Sequence, residues 1–519
     1  MGIKEKIKKI TKEYNVVILL CICMAVYYAC KMFINHPWYD ELYTYYSFIS
    51  RGPVYAAIHW PVPNNHVFYS VLSACLNIFQ NATISLRGIS FIAAVVNLFL
   101  VFLVGRKFTD KYLSCACAMI YASVYLVNSL SVQGRGYTLA TTCYLLSVIF
   151  LYRICCEKEK RIDYIGFALS LTAGLYTLVS STFWVVPICI IGGAYLLFHG
   201  EYRKMWKLIA TSLAAAAMTF FLYTIIWLAI GANLLSKDAT SGFYEIYQVT
   251  IILKRPFLSL QTGMQYMLST PYVQSIGRLQ TLKELPEYLS TLFDQYFQGM
   301  GACITLFLAV ILVILLSLLC NMLIRKGRKN TDFFLIYFTF SLFFLPLMLL
   351  IQSVQPYKRV FSYWAVPFSL LLIYCIHLFI QNVKTKEKRN RITCFISVLS
   401  LLLLTGKCLS PDYRTPYAGR ENQIREALEQ ANTEKIERIF YTDDFQKYVL
   451  KFYCDLEPEE TQLSLADTVI IPCSVLENES KGMEWPDLVT KDMLDLTYIQ
   501  QNFELTAETD SYLVYQREE

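Results

Sequence analysis

Apolar runs long enough to cross a bilayer alternate with short polar connections from Val16 to Leu404, and then the pattern stops. A hydrocarbon core about 30 Å thick takes roughly 20 apolar residues of helix. Runs of that order predict crossings at approximately 16–33, 88–104, 112–130, 137–154, 163–178, 182–198, 207–231, 301–324, 333–351, 362–381 and 392–406, about eleven in all. The stretch Asn64 to Phe79 is apolar over only about 14 residues, short for a crossing. Counting it would invert every later connection, so a re-entrant or interfacial helix is expected there. From Lys407 onward charge is dense, and strand-like runs ("RIFYT", "DTVIIP") alternate with helical ones ("IREALEQA", "FQKYVLKFY"). That alternation predicts a small α/β domain of roughly 110 residues. The expected architecture is an α-helical polytopic membrane protein. Residues 1–406 form the transmembrane domain, with a first outer loop at 34–87 and a long one at 232–300, and residues 407–519 form an extracytoplasmic α/β domain.

Composition agrees: 55% of residues are hydrophobic and only 17% charged, a balance rare in soluble chains of this length. The net charge of +6 sits in alternate connections, among them "KIKKITK", "GRKFTDK", "CCEKEKR", "EYRKMWK", "RKGRKN" and "KTKEKRNR". Cytoplasmic loops carry the Lys/Arg excess, which places these clusters and the N-terminus inside and the C-terminal domain outside. Charge placed this way gives no reason to expect a nucleic-acid partner. The apolar run after the lysine-rich start lacks a small-x-small cleavage site, so it is expected to stay as the first helix. Of the 17 cysteines most lie inside apolar runs and no CxxC pair occurs; such cysteines behave as small hydrophobes, and neither zinc nor a redox dithiol is suggested.

Three groups of residues on the expected outer face carry chemistry. In "HPWYDELYTYYS" the adjacent carboxylates Asp40 and Glu41 follow the first span, amid tyrosines and a tryptophan. Ionisable groups at a span end are costly and point to function, and a carboxylate there suits a general base. The plain alternative is a loop acid among headgroup-anchoring tyrosines. In "PVPNNHVFYS", Asn65 and His66 offer a polar pocket or, with a carboxylate, ligands for a divalent metal; the alternative is a helix cap beside an incidental histidine. In "VQGRGYTL", Arg135 stands between two glycines with Tyr137 beside the pocket, and "QPYKRVFSYWAVP" carries Lys358 and Arg359. Arginine forks and a lysine point charge bind phosphate, or snorkel to ordinary lipid phosphates. A base, a polar pocket and phosphate binders on one face together suit transfer of a group from a lipid phosphate.

"YDELYTYY", "NNHVFYSVL", "LRGISFIAAVVNLFLVFLVGRKF" and "GRGYTLATTCYLLSVIFLYRI", in that order, resemble the GT-C superfamily of membrane glycosyltransferases. The likeness is to the branch with protein O-mannosyltransferases, the lipid A aminoarabinose transferase and Rgt-type enzymes. It covers about the first 155 residues, and "YKRVFSYWAVP" matches a later Arg-aromatic turn. The resemblance implies a hexosyltransferase that moves a sugar, with inversion, from a polyprenyl-phosphate donor to an extracytoplasmic glycan, lipid or protein. It implies Asp40 as base or acceptor-orienting group with Glu41 as its partner, Arg135 in the later outer turn, and Arg359 on the donor phosphate. Where the family reads His-Pro-Pro, this chain has Asn65-His66-Val67, which leaves the role of His66 open. Metal dependence varies in the superfamily, so a divalent metal is neither assigned nor excluded. The rival from another class is a transporter or flippase of lipid-linked sugars. It would show ionisable groups or broken helix pairs at mid-membrane in two matching halves. The spans here are nearly free of charge and no repeat is visible.

Overall fold

The architecture comes from a computed structural model describing residues 3–59, 65–236, 246–269, 275–324, 332–414, 426–431, 436–442, 444–477, 494–510 and 512–517. Among these residues nine helices are long and apolar enough to cross a membrane: Glu13–Ile34, Ala82–Gly105, Tyr137–Cys156, Val179–Phe198, Tyr202–Leu235, Gly301–Ile324, Asp332–Gln352, Lys358–Gln381 and Lys386–Leu409. They correspond to nine of the expected crossings, and the chain is a multi-pass membrane protein.

The other two are not among these long helices. The 163–178 run is the 17-residue helix Arg161–Thr177. The 112–130 run is broken at Val124 into Lys111–Ser123 and Tyr125–Leu130. Irregular backbone at membrane depth is tolerated only where protein satisfies it, and here it does. Leu113 to Ser123 are buried throughout. The Tyr125 and Leu126 amides donate to the Tyr296 and Gln295 carbonyls, both at 3.0 Å. The Tyr413 hydroxyl donates to the Ser123 carbonyl at 3.1 Å. The apolar stretch before Phe79 is the short helix Val67–Cys75 continued by one 3-10 turn, Leu76–Phe79. Pro61, Pro63 and Asn64, and the basic cluster from Arg325, lie outside the described residues.

The bundle has two chemically distinct ends. At one, basic turns meet acidic partners: Arg106 with Glu13 at 2.5 Å, Lys107 with Glu157 at 2.7 Å and Lys207 with Glu159 at 2.8 Å. Such partly exposed pairs contribute about 0–1 kcal/mol each, but they draw the basic turns together.

The other end carries a five-stranded sheet: β1 (Arg438–Phe440), β2 (Glu459–Glu460), β3 (Thr468–Pro472), β4 (Phe503–Glu508) and β5 (Tyr512–Arg517). The order is β2-β1-β3-β5-β4, with β1 parallel to both neighbours and β5 antiparallel to both of its own. The two strand-like runs of the tail are β1 and β3. β3 is buried at every position, as a continuous apolar run in mid-sheet should be. Its Ile470 packs with Ile439, Val449, Leu450, Tyr512 and Val514 into a core that also takes Leu42 from the first connection. The tyrosines of "HPWYDELYTYYS" thus have a protein partner: Tyr39, Tyr43 and Tyr46 all lie against Tyr448.

Candidate active site

Two short segments bring the chemistry together, the helix Tyr39–Thr44 and the glycine-flanked turn at Arg135. The helix is held at its start by its own sequence. Glu41, in the first turn, accepts the Trp38 amide at 3.0 Å, and an acid there also complements the helix dipole. At 100° per residue, Asp40, Glu41 and Thr44 fall on one face and Tyr39, Leu42, Tyr43 and Tyr46 on the other. The first face meets the helical bundle.

Glu41 is fully buried, and four donors fill its carboxylate. Arg87 grips it as a fork, Nε to Oε1 at 2.8 Å and Nη2 to Oε2 at 2.9 Å. The Gly134 amide adds a bond of 2.6 Å and the Trp38 amide the fourth. Arg87 in turn donates to the carbonyls of Met32, Asn35 and His36 at 2.6–3.1 Å. Bidentate, charge-assisted bonds of this kind fix geometry. Glu41 therefore ties three segments together, with its oxygens already engaged.

Asp40 is also buried, 4% exposed, but its surroundings are cationic. Its Oδ2 lies 3.1 Å from Arg359 Nη2 and 4.0 Å from Arg135 Nη2. Arg135 donates to Thr44 Oγ1 at 2.8 Å. Arg359 is stacked about by rings, with its guanidinium carbon 5.1 Å from the centre of Trp38, 4.9 Å from Tyr357 and 5.9 Å from Tyr137. Aromatic faces and a carboxylate together hold a guanidinium that is partly desolvated.

His66 completes the group. The Gly136 amide donates to its Nδ1 at 2.8 Å, and its Nε2 lies 3.2 Å from Arg135 Nη2. Burial, then the charges of Arg135 and Arg359, hold its pKa well below the usual histidine value. The neutral ring with Nδ1 accepting carries its proton on Nε2. Two donors, Nε2–H and Arg135 Nη2, then converge, an arrangement suited to an anionic oxygen. Both glycines are needed for the close approach. A Cβ at Gly134 would collide with Leu86 and lie 3.1 Å from Glu41 Oε1; one at Gly136 would lie 2.7 Å from Thr177 Cγ2 and 3.3 Å from His66 Nδ1.

Asp40, Arg135, Arg359, His66 and Tyr137 are thus brought together, with the Tyr137 ring edge-on to His66 at 5.1 Å. Asn65 and Lys358 stand apart from them. Asn65 donates to the carbonyls of Ala56 and His59, both at 2.9 Å, and accepts from Ser70 Oγ at 2.8 Å, which makes it the clasp of its loop. The Lys358 ammonium sits 4.7 Å above the Tyr288 ring. Sequence reasoning passed over Arg87, left as the last residue of the first outer loop, although a charge bordering a span was its signal; Trp38 and Tyr357, which flank Arg359, had none. Among the described residues, no group of three or more His, Cys, Asp or Glu side chains comes together to hold a metal ion.

Residues 66–227, which include His66, Arg87, Arg135 and Tyr137, match the profile of a family described as dolichyl-phosphate-mannose-protein mannosyltransferase. No curated protein matches the chain in sequence. In structure it is similar to ArnT from Cupriavidus metallidurans bound to undecaprenyl phosphate, at 9% identity and a TM-score of 0.57, covering 97% of this chain and 98% of that one. A weaker likeness, TM-score 0.44 at 11% identity, is to the archaeal oligosaccharyltransferase AglB from Archaeoglobus fulgidus, over 86% of this chain and 64% of that one. The chain thus shares the fold of that ArnT structure, and the segment that matches the mannosyltransferase family runs through its site.

Proposed function

We propose that this protein transfers a sugar, with inversion, from a polyprenyl-phosphate donor to an extracytoplasmic acceptor in the cell envelope (a glycan, a lipid or a protein). The observation that carries the reading is the convergence of one buried carboxylate, Asp40, with two arginines from distant parts of the chain, Arg135 and Arg359. A relative of the same fold was solved with undecaprenyl phosphate bound, which supports a lipid phosphate as the donor's leaving group.

In this reading Asp40 takes the proton of the acceptor hydroxyl while that oxygen bonds to the anomeric carbon. The bond from that carbon to the phosphate oxygen breaks, and polyprenyl phosphate leaves with the electron pair. The charge that develops on the phosphate is met by Arg359, Arg135 and His66 Nε2–H, fixed donors in a site shielded from water. Arg359 moves its charge from Asp40 toward the phosphate, which leaves the carboxylate free to accept a proton. Glu41 and Arg87 hold the Asp40 helix, and Lys358 adds positive charge at the rim.

The test is transfer of radiolabelled sugar from a panel of polyprenyl-phosphate sugars in membranes, comparing wild type with Asp40→Asn at equal expression. Label reaching a new product in wild type and nearly lost in the variant supports the reading. Equal transfer in both removes Asp40 from the chemistry. Movement of the intact labelled lipid across the bilayer without transfer would favour a flippase.

A further inference from the structure

The Asp40 helix has a second face, and the assigned chemistry does not use it. Leu42 is fully buried, packed in the same core as Ala427, Leu428, Ile439, Val449, Leu450, Ile470 and Val514 of the C-terminal body. Around it the contact is aromatic. Tyr46 stacks on Tyr448 at 5.5 Å with the rings 6° from parallel, Tyr39 and Tyr43 meet the same ring at 6.2 and 6.3 Å, and Tyr45 meets Phe452 at 6.1 Å. His36 Nδ1 lies 3.2 Å from the Tyr453 hydroxyl, and the Lys451 ammonium 5.2 Å from the centre of the Tyr46 ring. Leu42 is two residues from Asp40, in a six-residue α-helix that runs directly into the π-helical turn Tyr45–Ile49. So short a helix has little stability of its own, and its rotation about its axis must be set by what grips it. The bundle grips one face through Glu41 and Thr44.

We infer that the C-terminal body is the other half of that grip: through Leu42 and the Tyr448 ring it sets the aim of the Asp40 carboxylate, making Leu42 and Tyr448 positioning residues for the transfer. The inference rests on the reading of Asp40 given above. An apolar side chain sunk in one core and a carboxylate facing another, on opposite faces of one short helix, convert a small shift of the C-terminal body into rotation of Asp40. A misplacement of about 1 Å at a reacting group can cost about a hundredfold in rate. The donor phosphate, held by residues of the bundle, would be bound as before. The aromatic run after the first span, which could have been a headgroup anchor, is by this argument the seat of the tail domain.

The experiment uses the full chain in detergent or liposomes, with Leu42→Ala, Tyr448→Ala and Tyr448→Phe. Hydrogen exchange is followed in peptides covering residues 36–50, and turnover and KM for a polyprenyl-phosphate sugar are measured in parallel. Expected are faster exchange in residues 36–50 for both alanine variants, turnover down about tenfold or more with donor KM within about twofold, and recovery in Tyr448→Phe, which keeps the ring. Unchanged exchange, unchanged turnover, or a donor KM that rises in step with the loss would each overturn the inference. Failure of wild type to transfer any sugar would count against the functional reading instead, and exchange alone would then decide whether the tail grips the helix. Leu42→Met, which keeps the volume, guards against simple misfolding and should behave as wild type.

Discussion

Asp40 and Arg359 face each other at 3.1 Å, although one follows the first span and the other opens a span near the end of the bundle. The pair joins the proposed base to a proposed phosphate binder. Arg359→Met leaves the buried Asp40 with Arg135 at 4.0 Å as its remaining cation among the described residues; it is expected to fold with reduced stability and to lower kcat by about 10²–10³. Arg359→Lys should recover little of this, because an ammonium lacks the planar fork and stacks less well on Trp38 and Tyr357. Steady-state kinetics on purified variants, with folding checked by thermal unfolding, measure both.

Glu41 and Arg87 predict an effect on stability instead. Removing one partner of a buried pair strands the other charge, at a cost of about 3–5 kcal/mol, whereas replacing both by apolar residues of similar size is often nearly neutral. Arg87→Met should therefore yield much less folded protein than the double variant Glu41→Met/Arg87→Met. A double variant as poor as the single one would mean that the pair's bonds to Gly134, Trp38 and the Met32–His36 carbonyls matter more than charge balance.

What could be read in the chain, and what could not, divides along local and distant causes. Nine long helices follow from apolar length alone, and β1 and β3 from short apolar runs in a charged tail. The break at Val124 has no proline or glycine to announce it; it exists because Tyr296 and Gln295 bring carbonyls to the freed amides. Asp40, Arg135 and Arg359 stood out as charges at span ends. Their partners did not. Arg87 looked like an ordinary charge closing the first outer loop, and Leu42 like one more apolar residue in an aromatic belt. Periodicity shows which face of a helix is apolar and is silent on whether lipid or another part of the chain covers it.

His66 gives a pH prediction. Its folded pKa lies well below the ordinary histidine value, through burial first and the neighbouring arginines next. A depressed histidine favours the folded state above the unfolded pKa of roughly 6.5, and that stability is lost as pH falls below it, at up to about 1.4 kcal/mol per pH unit. His59, lowered to about 4 mainly by burial, acts in the same direction. Melting temperature should thus hold above pH 7 and decline toward pH 5, with a shallower decline in His66→Gln. An identical slope in wild type and variant would assign the sensitivity elsewhere.

Gly134 tests the packing under the site. A methyl group there would run into Leu86 and press on Glu41 Oε1, and overpacking typically costs about 1–3 kcal/mol. Gly134→Ala should lower both melting temperature and turnover, and adding Leu86→Val should restore part of each by making room. Restored stability without restored turnover would place the damage at the Glu41 contact.

Lys358 and Tyr288 separate a charge effect from a positioning effect. The Lys358 ammonium rests over the Tyr288 ring, and the Tyr288 hydroxyl donates to the Pro356 carbonyl at 2.6 Å, three residues before Arg359. The same turn is clasped by Gln355 on Glu284 at 2.7 Å and by the Ile276 amide on the Ser353 carbonyl at 3.0 Å. If Lys358 contributes only a screened charge at the rim, Lys358→Met should raise donor KM by about threefold or less and weaken its dependence on salt. Tyr288→Phe removes the bond that holds the turn, worth about 1 kcal/mol, while keeping a ring beneath the ammonium. It should lower kcat more than it changes KM, because Arg359 would be held less firmly where charge develops on the phosphate. The reverse pattern, a large KM effect for Lys358→Met and none on kcat for Tyr288→Phe, would make Lys358 a direct phosphate ligand and the turn a passive support.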